Sequence, residues 1–411
     1  LTPPKRAMVY LGIGGGDISF WNDSVADMCR DLKGFGFNSL EIWGGDPREF
    51  YRNGMNGFTG GGGAFYVKDK FPEALAVTLD GNTTQEDLIS PSYRGPGLQD
   101  AIDRITHTAT MTSGATIDDE VYGMSAQSPA IGFEPGTIER WGKWVAERHP
   151  DLAGVDPKVF AKQPHKYMKH YAAWLDFRCE LYAELYGILH DEFHKAVRES
   201  GVKTTTKPMF GGYVNDNPVH ALTSNRTLAR VLDFVANMVY DDAPGIRKAV
   251  AKLAPVSAKK LVIAISPGYQ MSPPGDTRSA VLEAVMGGSQ GIIAWGYYMG
   301  MDTGHLADMA DAVRMFGQVE DTVLDGEFQS GYTCSNTSVN LLARKRGRES
   351  ALLVSDYSPN PGSVNVTVPG TEPLVVIDLY SGKVVAKLTK TQRRFPVELR
   401  RDFSARLYSL R

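Results

Sequence analysis

Cysteine is scarce: only Cys29, Cys179 and Cys334 occur, far apart, in 411 residues. Their spacing contains no Cys-x-x-Cys zinc or redox motif and cannot build a fully paired disulfide framework, so buried or incidental thiols are expected. Charge of one sign is also missing. With 44 basic and 47 acidic residues the net charge is −3, which argues against a nucleic-acid partner. No apolar run reaches the roughly 18 residues that would span a bilayer, so no membrane-spanning segment is expected. A Gly-x-x-x-x-Gly-Lys-Ser/Thr phosphate loop and a Gly-x-Ser-x-Gly elbow are both absent, which removes P-loop phosphate binding and gives no support to a Ser-His-Asp hydrolase. The chain begins at Leu1, and Asn-x-Ser/Thr triplets begin at Asn22, Asn82, Asn225, Asn336 and Asn365. These two features point to a secreted or periplasmic protein.

The chain has the composition of a globular protein, 42% apolar and 22% charged, and its length suggests one large unit plus a smaller one. Ala7–Gly14 is a short apolar run closed by glycines, SVADMCRDLKGFGF has helical spacing, and NSLEIWGGDP is a second strand. This opening βαβ unit implies a parallel sheet. From Asn53 to Gly97 the regularity lapses into a glycine-rich insertion. Leu98–Met111 reads as a helix, and about Phe160 to Glu199 is strongly helical, with an apolar stripe of Trp174, Phe177, Leu181, Leu185, Leu189, Phe193 and Val197. Further strands are expected at Thr204–Phe210, Phe234–Tyr240, Leu261–Ile265 and Gly291–Trp295. The alternation predicts an α/β fold, a (β/α)8 TIM barrel over residues 1–320 with a long loop insertion at 53–97; a doubly wound sheet is the rival. Residues 321–411 alternate in short β segments and predict a small C-terminal antiparallel β-sandwich domain.

In a barrel, chemistry gathers at the C-terminal strand ends. Asp118-Asp119-Glu120 closes one such strand, where mutual repulsion and partial burial would raise a carboxyl pKa into the range of a proton donor. Tyr240-Asp241-Asp242 closes another, although an Asp before the helix GIRKAV is equally a helix cap. Trp21, Trp43, Tyr240, Trp295, Tyr297 and Tyr298 crowd the expected rim, and flat rings suit the apolar faces of sugars. Gly12-Ile13-Gly14-Gly15-Gly16-Asp17, with Glu41 ending the next strand, hints at a dinucleotide fingerprint, but Asp17 stands where its third glycine belongs. His190 and His194 lie one helical turn apart, a zinc-like spacing, but Asp191 replaces the metalloprotease glutamate, so a surface or outer-layer role is expected and no metal is assigned.

The run IDDEVYG, the insertion containing WGKWVAERHPDL, and the helix AAWLDFRCELYAELYGILHDEF together resemble the family 42 β-galactosidases and related barrels. So do the opening YLGIGGGDISFWNDSVADMCRDLKGFGFNSLEIW and the stretch DTRSAVLEAVMGGSQGIIAWGYYMG. The resemblance implies a glycoside hydrolase in which Glu120 is the general acid/base and Asp119 takes the place of the family's sugar-binding Asn. It also exposes a departure: the family's nucleophilic Glu ends strand seven, whereas LVIAISPGYQ offers Ser266.

Three schemes accommodate that gap. Asp241 or Asp242 serves as base in an inverting displacement with Glu120 as acid, the favoured scheme; Asp118 or Asp119 is a nucleophile with a strand-six Asp as donor; or the barrel binds carbohydrate without hydrolysing it. Asp118, Trp43, Glu41, Tyr240, Trp295 and Tyr298 are expected to contact the sugar. No cofactor and no metal are expected. The expected partner is a carbohydrate substrate, with no nucleic acid and no membrane, and homo-oligomerisation stays open.

Overall fold

The computed structural model describes residues 4–12, 24–42, 47–62, 70–83, 89–112, 114–118, 131–201, 208–214, 216, 218–219, 222–270, 275–295 and 301–411. Eight parallel strands close into a barrel in chain order: β1 (Met8–Gly12), β2 (Ser39–Ile42), β3 (Asn56–Gly62), β4 (Gly114–Asp118), β5 (Met209–Val214), β6 (Phe234–Met238), β7 (Leu261–Ile265) and β8 (Gly291–Trp295). The (β/α)8 expectation holds, and a doubly wound sheet is excluded by the closure. The chain forms two compact units, residues 1–57 with 238–411, and residues 58–237.

In the first unit β7 pairs with β8, β8 with β1, and β1 with β2. Strand alternation divides their side chains. Val9, Leu11, Leu40, Ile263, Ile265, Ile292 and Ala294 face outward into a core shared with Met28, Leu32, Ile246, Val281 and Phe316 of the surrounding helices. The helix Val25–Gly34 starts where predicted, with Ser24 as its cap, the hydroxyl accepting from Asp27 N.

The same unit carries the antiparallel β region. A six-stranded sheet runs in the order Val384–Leu388, Leu374–Asp378, Ala405–Leu410, Glu349–Ser355, Asn340–Arg346 and Glu327–Gln329. A three-stranded sheet runs Thr333–Cys334, Ser363–Thr367, Arg394–Glu398. Val364, Val366, Phe395 and Val397 from the smaller sheet share one core with Leu352, Val354, Val376, Tyr408 and Leu410 from the larger, which makes the expected sandwich.

In the second unit β3 to β6 pair in sequence. Two expectations shift here. The third strand lies inside the glycine-rich segment read as a loop, and β5 extends Met209–Val214, past the expected end at Phe210, while residues 204–207 of the expected strand lie outside the described residues. Glycine within a strand weakens its sequence signature, yet two of these glycines have a packing role. A Cβ on Gly114 would overlap the Phe58 ring, and one on Gly211 would overlap Phe234. Phe58 and Phe234 meet edge to face at 6.1 Å, so here phenylalanine rings pack against bare backbone. The long helix Met168–Ser200 buries all seven residues of the predicted apolar stripe and stops at Gly201, whose φ of 67° is the left-handed turn that glycine makes without strain.

Candidate functional site

The outward set on β1 and β2 leaves Tyr10, Gly12, Ser39 and Glu41 on the inward face, with Gly12 and Glu41 toward the C-terminal mouth. Gly12 is the register partner of Trp295. A Cβ at Gly12 would overlap Trp295 Cε3 and stand 3.4 Å from Glu41 Oε2. The structure therefore brings together Glu41, only 1% exposed, and Trp295, half-buried at the end of β8. A carboxylate beside an aromatic face is an acceptor-and-platform pair suited to a hydroxylated ring. The glycine chosen as a possible phosphate-turn residue instead makes room for the indole.

Asp241 and Asp242 follow β6 and are exposed, with Tyr240 half-buried before them. Asp242 caps the helix Ala243–Leu253, its Oδ1 accepting from Gly245 N at 2.9 Å. Asp241 Oδ1 accepts from Asp242 N at 2.8 Å. The capping role weighed for this pair is thus real for Asp242. Asp118 ends β4, in register with Gly62 and Tyr213. Asp119, Glu120, Trp21, Trp43, Tyr297 and Tyr298 lie outside the described residues. β7 ends at Ile265, and Ser266 directly after it is buried.

Sequence reading missed several groups. Asp276 opens the helix Asp276–Gly287, and its carboxyl is pushed up by burial and then by the charges of Asp242 and Asp308. No pattern in the sequence announces it, because the neighbours that hold its proton come from other helices. Arg278, two residues on, is held against Asp308 at 3.3 Å, donates to the Asp402 carbonyl, and lies 3.8 Å from the Phe403 ring centroid. Arg178, within the Leu-Asp-Phe-Arg motif, is fully buried; its Nη1 donates to Ile131 O at 2.5 Å and its Nη2 to Val219 O at 3.4 Å. Burial lowers this guanidinium to about 10. Arg178 thereby ties the long helix to the backbone at Ile131 and Val219.

His190 and His194 converge on Asp233, a residue that sequence reading passed over. Asn225, one of the glycosylation triplets, is buried and exchanges hydrogen bonds with Asn237. That asparagine is structural. Cys29 and Cys179 are buried thiols raised to about 11 and about 12 by burial, and Cys334 is half-buried. Two surface cavities of about 630 and 640 Å³ are lined by chain-entry, helix-end and sandwich residues such as Arg6, Glu320, Gln290 and Phe328. None of the strand-end residues discussed above lines either one.

No protein-family profile and no curated protein matches the chain. Solved structures do match in fold. A β-galactosidase from Bacillus circulans sp. alkalophilus superposes with a TM-score of 0.63 at 10% identity, over 98% of this chain and 99% of that one. A family GH42 β-galactosidase from G. stearothermophilus, in a catalytic-mutant form, gives 0.58 at 9% identity over the whole of both chains. A maltogenic α-amylase from Thermotoga neapolitana gives 0.55 at 9%, over 98% of each. At such identities the likeness establishes the barrel fold, and these structural neighbours are glycoside hydrolases.

Proposed function

We propose that the chain is a glycoside hydrolase that cleaves a glycosidic bond in an oligo- or polysaccharide, with Glu120 as general acid and a carboxylate of the Asp241–Asp242 pair as base. The observation that carries this reading is the barrel mouth, where buried Glu41 and the Trp295 ring meet over Gly12. Its support from outside the chain is the set of barrel neighbours that cleave or rearrange sugars.

In this scheme Glu120 protonates the leaving oxygen as the glycosidic bond breaks, and the ionised base takes a proton from the water that attacks the anomeric carbon. Glu120 must hold its proton in the resting enzyme, and the adjacent Asp118 and Asp119 charges act in that direction. Asp242 is engaged in capping, so Asp241, one residue nearer the strand, is the preferred base. Glu41, Asp118, Trp43, Tyr240, Trp295 and Tyr298 form the sugar-contacting set, with Asp119 on the hydroxyl beside the reacting carbon.

A second reading has its own support: β7 is followed by the buried Ser266 rather than by a carboxylate. In that reading the barrel binds carbohydrate without cutting it. A panel of oligosaccharides, followed by chromatography for released sugars and by calorimetry for binding, separates the two. Release that disappears in Glu120→Gln supports hydrolysis, whereas binding without release supports the second reading.

A further inference from the structure

At the N-terminal ends of β5 and β6, away from the catalytic end of a barrel, three donor atoms converge. His190 and His194 sit one turn apart on the helix Met168–Ser200, their ring centroids separated by 4.4 Å. Asp233 immediately precedes β6. Its Oδ2 lies 2.7 Å from His194 Nε2 and 3.5 Å from His190 Nε2. Among the described residues this is the one cluster of three His, Cys, Asp or Glu groups whose donor atoms all lie within 4.8 Å of one another.

We propose that His190, His194 and Asp233 form a structural site for a divalent transition-metal ion of the zinc class. Bonds of about 2.0–2.1 Å in a tetrahedral shell set neighbouring donors about 3.3 Å apart. The two measured separations bracket that value. The surroundings carry a second, independent argument. His190 Nδ1 lies 3.0 Å from Asp191 Oδ1, so a carboxylate is placed to hold a hydrogen on that nitrogen and leave Nε2 for an ion, the arrangement that orients imidazole ligands in metal proteins. Asp233 Oδ2 also accepts from Phe210 N at 2.8 Å, which fixes the carboxylate against β5. Each of the three side chains is about one-fifth exposed, so an ion has a route in from solvent.

The ion would pin the long helix to two barrel strands. Residues on the N-terminal face of a barrel serve stability, so the role is a clamp and is independent of the hydrolase reading.

The test uses the full chain, stripped with a chelator and titrated with Zn²⁺ by calorimetry and with Co²⁺ by visible absorption. Expected are one equivalent of Zn²⁺, a rise in Tm on adding it, and a Co²⁺ spectrum of nitrogen–oxygen coordination. His190→Ala and His194→Gln, checked by circular dichroism, should each reduce Zn²⁺ affinity at least tenfold. No binding by the wild type up to millimolar Zn²⁺ overturns the proposal, as does unchanged one-equivalent binding in both folded variants. Should either variant fail to fold, the wild-type stoichiometry and Co²⁺ spectrum still decide the matter.

Discussion

Gly12 and Trp295 are register partners across β1 and β8, and the indole of Trp295 fills the space that any side chain at position 12 would need. Gly12→Ala should therefore push the ring off its seat beside Glu41. The expected cost is about 1–3 kcal/mol, as for other overpacked sites. Tryptophan fluorescence and chemical denaturation check it. An unchanged spectrum with full stability would mean that the indole is not held as described.

Glu120→Gln keeps the size and polarity of the side chain but removes the transferable proton. Turnover should fall about 10²–10⁴-fold, the usual worth of general acid catalysis, while calorimetric affinity for the sugar stays within a few-fold of wild type. Retained turnover would take Glu120 out of the mechanism.

Asp242 holds a helix N-terminus, and Asn caps as well as Asp. Asp242→Asn should leave Tm nearly unchanged, whereas Asp242→Ala should lose about 1 kcal/mol. Asp241→Asn is expected to cut turnover more than Asp242→Asn. The reverse order in steady-state rates would assign the base to Asp242.

Glu283 is buried where its helix meets the sandwich, accepting from Ser355 Oγ at 2.7 Å and Tyr357 Oη at 2.8 Å, with Arg247 3.7 Å away. Burial raises its pKa despite those partners. The folded chain thus keeps a proton that the unfolded chain has released, so this group's contribution is fully present below the ordinary glutamate value and is lost as pH rises through the folded one. Glu283→Gln should flatten the decline of stability across that upward window. Urea titrations at several pH values test this, and an unaltered slope would refute it.

Arg178 offers its guanidinium to carbonyl oxygens without a carboxylate in hydrogen-bond reach among the described residues. Arg178→Ala should destabilise the chain by about 3 kcal/mol, because a large buried side chain and its hydrogen bonds disappear together. It should also loosen the chain at Ile131 and Val219, read out by limited proteolysis. A variant as stable and as protease-resistant as wild type would show that this anchor is dispensable.

Regular segments were legible from pattern alone. The runs LVIAI and GIIAW are strands over their predicted spans, and the stripe from Trp174 to Val197 is buried throughout. Irregular ones were not. NGFTGGG reads as a turn by composition, and its strand character comes from pairing with β4, an interaction with residues more than fifty positions away. The candidate site divides in the same way: Glu41 and Trp295 could be named as strand-end residues, but their meeting over Gly12 could not.

Hydrophobic periodicity and turn chemistry are local, so the amino-acid order by itself determined the repeated strand–helix alternation, the terminal β region and the residue types available at the strand ends. Which of those residues meet is a matter of closure and register. Only the tertiary structure seated Trp295 over Gly12, buried Glu41 and drew Asp233 between two histidines, because each of these contacts joins segments whose separation in sequence carries no record of their distance in space.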